Sequence, residues 1–160
     1  EPRAATPERR LAAMATLAAA GAPVSVMFAP VIPGLNDHEL EAVLERAAQA
    51  GAVSAGYVVL RLPREIKDLF REWLETAIPD RAKRVMSLVR QMRGGLDYDP
   101  RWEQRMKGDG PLAEMLGRRF AIARRRFGLD RPTSPLNVAR FRPPGGASDQ
   151  PDLFEAESTL

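Results

Sequence analysis

Arg61 follows the apolar run Tyr57-Val58-Val59-Leu60, so it stands where a buried strand would end. An arginine there points toward the place where α/β proteins bind anionic ligands, or it pairs with a nearby carboxylate such as Glu65 or Glu1. Pro30-Val31-Ile32-Pro33-Gly34 follows an earlier apolar run and is stiffened by its prolines. Such a wall suits contact with a flat ring such as adenine, and it also suits a plain turn. Other candidates carry less. Glu65 with Asp68, and Glu72 with Glu75, are carboxylate pairs at helical spacing, the pattern of a solvated helix face. Gly94-Gly95 and Gly145-Gly146 lack the strand-to-helix context and the Lys-Ser/Thr of a nucleotide loop. The 160 residues contain no cysteine and one histidine, His38. That excludes disulfides, a thiolate-held zinc or iron–sulfur site and a cysteine nucleophile within these residues, and one histidine cannot build a histidine metal site.

Two short apolar runs and the helices between them must position these residues. Thr6-Pro7-Glu8 reads as a helix start, with a hydroxyl to cap and proline at the first turn. Leu11, Met14, Leu17 and Ala18 form its apolar face, and Gly21 its left-handed stop. Val24 to Ala29, between Pro23 and Pro30, reads as a strand buried on both faces. The pattern then recurs. Asn36 is placed to cap a second helix with Glu39 returning the bond, Leu40, Val43, Leu44 and Ala47 form its stripe, and Gly51 ends it. Ala52 to Leu62 is the second strand. Thr6 to Asn36, Gly21 to Gly51 and Pro33 to Pro63 are each 30 residues apart. A helix-then-strand unit repeating at that length predicts an α/β architecture with parallel strands and outer helices. Two such strands cannot cover a sheet alone, so further strands are expected before Glu1.

Beyond Pro63 the pattern is helical. Ile66, Leu69, Phe70, Trp73 and Leu74 form one stripe, Pro79-Asp80 interrupts it, and Val85, Leu88, Val89 and Met92 form another before Gly94-Gly95. Residues 96–110 read as a loop, Leu112 to Phe127 as a last helix carrying five arginines, and 130–160 as a Pro/Gly-rich, mainly disordered tail. Three regions result: 1–64, 65–128 and 129–160. Net charge is −3 over residues 1–80 and +6 over 81–160. The second half is therefore the candidate polyanion face, or a set of arginine-rich helices with solvated outer sides. No apolar run approaches the roughly 20 residues of a membrane span, and Glu1-Pro2-Arg3 does not resemble a signal peptide. The expectation is a soluble, cytoplasmic protein with no membrane partner, and a chain cut from a longer one.

Four phrases in order carry a family resemblance: Glu1-Pro2-Arg3-Ala4, Ala29 to Asp37, Leu60-Arg61-Leu62-Pro63, and Arg90-Gln91-Met92-Arg93-Gly94-Gly95. Together they resemble the C-terminal half of radical SAM proteins, in particular the bacterial group related to spore photoproduct lyase, over residues 1–127. The resemblance implies the last two strands of a partial parallel (β/α)6 barrel. It also implies S-adenosylmethionine and a 4Fe-4S cluster held by an upstream CxxxCxxC loop. One electron from the cluster would cleave the sulfonium to methionine and a 5′-deoxyadenosyl radical, while the protein orients the cofactor and excludes water.

By this resemblance Ala29, Pro30, Val31, Ile32 and Pro33 match a loop at the adenosyl group. Leu60, Arg61, Leu62 and Pro63 match the strand end packed against adenine, and Glu1 and Arg3 match a region near the ribose and the methionine carboxylate. The cluster loop and the first strands are not in these residues, so the chain alone is expected to be inactive. The resemblance further implies an electron donor and, through the lyase, a lesion in DNA as substrate. Gln150-Pro151-Asp152-Leu153-Phe154 resembles the short peptides that dock on the bacterial sliding clamp, with Gln150, Leu153 and Phe154 as contacts. The rival expectation is a non-enzymatic module that binds nucleic acid or the clamp through the arginine-rich helix and the tail.

Overall fold

The structure, a computed structural model, describes residues 4–102, 104–132 and 138–141. Its first helix, α1 (Pro7–Ala19), begins as the sequence dictates: the Thr6 hydroxyl accepts from the Arg9 N–H at 3.4 Å, and Pro7 occupies the first turn. Gly21 follows at φ 81°, a conformation open to glycine at no steric cost. The chain then enters β1 (Val24–Val31), passes through a 3₁₀ turn (Asp37–Glu39) into α2 (Leu40–Gln49), and returns as β2 (Ala52–Val59). The two strands pair in parallel, with Val24 opposite Ala52, Met27 opposite Gly56, and Val31 opposite Val59. Parallel pairing needs a long crossover, and α2 supplies it.

One face of this sheet is covered. Leu40, Leu44 and Ala47 of α2 are buried against Phe28, Val31, Ala52 and Val59. The last helix, α6 (Gly110–Arg126), closes the same core with Ala113, Leu116, Phe120 and Ala123. Burying a leucine of this kind is worth about 1.5–3 kcal/mol. The other face is open: Ser25, Met27 and Ala29 alternate along β1 and are exposed, Met27 at 61%. The expectation that this strand is buried on both faces is therefore corrected for this chain.

A second core sits under the carboxyl ends of the strands. Leu60 and Leu62 pack with Leu74 of α3 (Ile66–Ala77) and with Ala82, Val85, Met86 and Val89 of α4 (Pro79–Gln91). Only Leu74 of α3 is fully buried, while Ile66, Leu69 and Trp73 are exposed, so most of that expected stripe faces solvent here. A short helix, α5 (Gln104–Lys107), lies inside the expected loop of 96–110. The strand expected to reach Leu62 ends at Val59. The expected tail begins too early, since Leu129 is fully buried and Asp130 bridges to Ser54. Among the described residues no helix is long and apolar enough to cross a membrane.

Candidate functional site

The loops after β1 and β2 lie side by side, because parallel strands deliver both carboxyl ends to one edge. The Leu60 N–H donates to the Val31 carbonyl at 2.9 Å, which joins the two loops directly. The first loop is braced by its own polar side chains. Asn36 accepts from the Ile32 N–H at 2.7 Å and donates to the Pro30 carbonyl at 3.0 Å, and Asp37 accepts from the Gly34 N–H at 2.7 Å. Asn36 therefore does not cap α2 as expected; its side chain is spent on the loop, and a 3₁₀ turn leads into the helix. Gly34 takes φ 76°, and a Cβ there would lie 2.7 Å from Leu88 Cδ1.

Burial divides the residues expected to meet a cofactor. Val31, Pro33, Leu60 and Leu62 are buried, and all but Pro33 belong to the two cores just described. Ala29 and Pro30 are exposed, while Ile32, Arg61 and Pro63 are half-buried. The surface left to a ligand is thus Ala29, Pro30 and parts of Ile32, Arg61 and Pro63. Glu1, Arg3, Gln150, Leu153 and Phe154 lie outside the described residues.

Arg93 fixes the second loop. It is 1% exposed, and its guanidinium donates to the Leu60 carbonyl at 2.9 Å and to the Gln104 carbonyl at 2.5 Å. It thereby ties the end of β2 to α5. Burial pulls its pKa down, opposed by the charge of Asp99. Asp99 is itself buried and held by Arg101, whose Nε lies 3.1 and 3.0 Å from the two carboxylate oxygens and whose backbone N–H donates at 3.0 Å. Those bonds hold the Asp99 carboxyl down at about 2.

Arg61 makes no pair with Glu65, one of the two carboxylates considered for it, and the other, Glu1, lies outside the described residues. Among the described residues the Arg61 guanidinium meets the Met106 thioether alone, at 3.7 Å, and its buried Nε has no partner. The Arg105 Nε is in the same condition, with its guanidinium 3.7 Å over the ring of Trp102, a residue 76% exposed. The sequence phrase 90–95 contains Arg93, but nothing in its spacing announced the bond to Leu60. Arg105 and Trp102 fell in a stretch read as loop.

The open face of the sheet carries small polar groups. Ser25 and Ser54 are hydrogen-bonded through their hydroxyls, and Met27 lies over Gly56, where a Cβ would come within 2.8 Å of its methyl. A cavity of about 560 Å³ runs from Met27 and Gly56 along α6, lined also by Tyr57, Asp109 and Arg124, and no residue of either loop reaches it.

The arginines of α6 are partly committed to the fold. Arg119 makes a two-pronged bond to Glu41 at 2.9 and 2.8 Å, which lowers the Glu41 pKa, and Arg124 donates to the Leu129 carbonyl at 3.1 Å. Asp68 faces Arg71 at 3.6 Å, and His38 sits on the surface beside Glu39. Among the described residues no group of three or more histidines, cysteines and carboxylates is placed to hold a metal.

No family model and no solved structure matches the chain. It is 36% identical over 88 residues to uncharacterized proteins of Mycobacterium tuberculosis and Mycobacterium bovis. The match covers 54% of this chain and 26% of theirs, so the chain spans about a quarter of the length of the curated relatives it matches.

Proposed function

We propose that this chain is the C-terminal portion of a radical SAM enzyme, supplying the last two strands of a partial (β/α)6 barrel and one wall of the S-adenosylmethionine pocket. One observation carries the reading: the two phrases that resemble the family's pocket, 29–33 and 60–63, lie at the same end of a parallel pair and are bonded to each other from Leu60 to Val31. Ligands of α/β proteins gather at that end. The open, small-residue face of the sheet and the unpaired outer edge of β1 support further strands continuing the sheet.

The residues present fit part of the cofactor set. The cluster does not fit, because the chain has no cysteine, and no step here runs through it. S-adenosylmethionine fits better: exposed Ala29 and Pro30 offer an apolar edge to a ring, and Arg61 has a donor that no acceptor among the described residues meets. When bound, that cofactor supplies the radical chemistry the resemblance implies. The chain's own part is to hold the pocket wall. Asn36 fixes the carbonyl of Pro30, and Arg93 fixes that of Leu60, so neither backbone reorganises when a ligand arrives. A DNA lesion as substrate, and clamp docking through Gln150, Leu153 and Phe154, rest on resemblance alone.

Anaerobic reconstitution of the full-length protein with iron and sulfide tests the reading. Under dithionite it should convert S-adenosylmethionine to 5′-deoxyadenosine and methionine, detected by mass spectrometry. A fully sequenced gene without an upstream CxxxCxxC loop, or a cluster-loaded protein that yields no 5′-deoxyadenosine, sinks it.

A further inference from the structure

Two arginine-bearing backbone segments, the end of β2 and the start of α5, meet at the buried guanidinium of Arg93. Arg93 grips the carbonyls of Leu60 and Gln104, and the residues that immediately follow those two carbonyls are Arg61 and Arg105. Both arginines therefore flank one buried cation, and the charge of Arg61 is felt at Arg93. No ion pair joins Arg61, Arg93 or Arg105 to a carboxylate among the described residues. Of the described acids in this segment, Asp99 is held by Arg101, and Asp109 accepts from the Gly110 N–H at 2.8 Å.

A buried N–H of a charged guanidinium without an acceptor is costly, and here there are two, the Nε groups of Arg61 and Arg105. Among the described residues the acceptor that Arg61 meets is a thioether, a weak one. A carboxylate from the chain would have been the ordinary solution. No carboxylate among the described residues takes that place, which leaves a planar, multi-donor cationic site, matched in geometry by the oxygens of a phosphate or a carboxylate.

We propose that Arg61 and Arg105 form an oxyanion-binding site at the carboxyl end of β2, with Arg93 behind them fixing the two backbone segments that carry them. Arg93 is a positioning residue, since its donors are spent on carbonyls. Arg105 is held by its stacking contact with Trp102, its guanidinium carbon 3.7 Å from the ring centroid. The site takes a phosphate or carboxylate group carried by a small ligand, and it stands whether or not the chain belongs to a radical enzyme.

Isothermal titration calorimetry of the full-length protein tests this, with inorganic phosphate in one arm and acetate in the other, at constant ionic strength. Saturable binding of one or both anions is expected, and the tighter one names the group. Arg61→Gln and Arg105→Gln should each weaken it about tenfold or more, the loss expected for a charged hydrogen bond, while surface Arg118→Gln leaves it unchanged. Arg105→Lys, which keeps the charge and loses the planar fork, should also weaken it and serves if Arg61→Gln does not fold. Heats that potassium chloride reproduces would overturn the proposal. So would binding that survives both glutamine changes or that Arg118→Gln weakens equally.

Discussion

At the scale of single residues, Arg93 holds the end of the second strand, and the charge of Asp99 acts on it. Arg93 is buried and satisfies two backbone carbonyls, so Arg93→Met should strand both acceptors and cost about 2–4 kcal/mol in a denaturant titration. Arg93→Lys should recover only part of that, because an ammonium on a flexible stem cannot match a planar group spanning two segments. Asp99 makes the stability depend on acid. Its carboxyl titrates near 2 in the folded chain and at 3.8 ordinarily, so the folded state favours the charged form. The contribution is complete above 3.8 and is lost as pH falls toward 2. Melting curves across that window should show a drop that Asp99→Asn reduces, since the amide is uncharged throughout. An unchanged acid limb in the variant would place the acid-sensitive group elsewhere.

At the scale of elements, the fold depends on how closely α1, α2 and the strands approach. Gly51 ends α2 at φ 92°, and a Cβ there would lie 2.6 Å from the Cβ of Ala18. Gly51→Ala is therefore penalised twice, by backbone conformation and by a clash between two helix ends. A loss of about 2–4 kcal/mol is expected from calorimetric melting. Gly21→Ala shares the positive φ but meets nothing within 4 Å, so its cost should be smaller, about 1 kcal/mol. The difference between the two variants isolates the helix contact. The Arg119–Glu41 pair does for α6 and α2 what Gly51 does for α1 and α2, fixing a distance with a two-pronged bond in place of a bare backbone.

At the scale of the whole molecule, the described residues form a two-stranded parallel sheet with one covered face and, among those residues, an unpaired outer edge on β1. Under the barrel reading, β1 has a neighbour in the full-length protein, and Met27 and Ala29 face an interior. Hydrogen exchange on that protein should then show the outer-edge amides of β1 protected to the same degree as those paired with β2. Rapid exchange along that edge would contradict the barrel.

Much of this was legible in the residues alone. The 30-residue repeat, the stops at Gly21 and Gly51, and the short apolar runs declare a helix–strand alternation through local rules of conformation and burial, and the helices and parallel strands stand where those rules put them. Asn36 shows the limit of such rules: its type suits a cap and a loop brace equally, and only the loop's backbone, folded back on itself, decides which donors it meets. The stripe of α3 is another case, since periodicity says which residues share a face but not whether anything lies against it. Arg61, Arg93 and Arg105 are separated in sequence by 32 and 12 positions, and no spacing rule links them. That Arg93 bonds the carbonyls preceding Arg61 and Arg105 follows from where α4 ends and α5 turns back against β2, a consequence of packing that sequence periodicity does not encode.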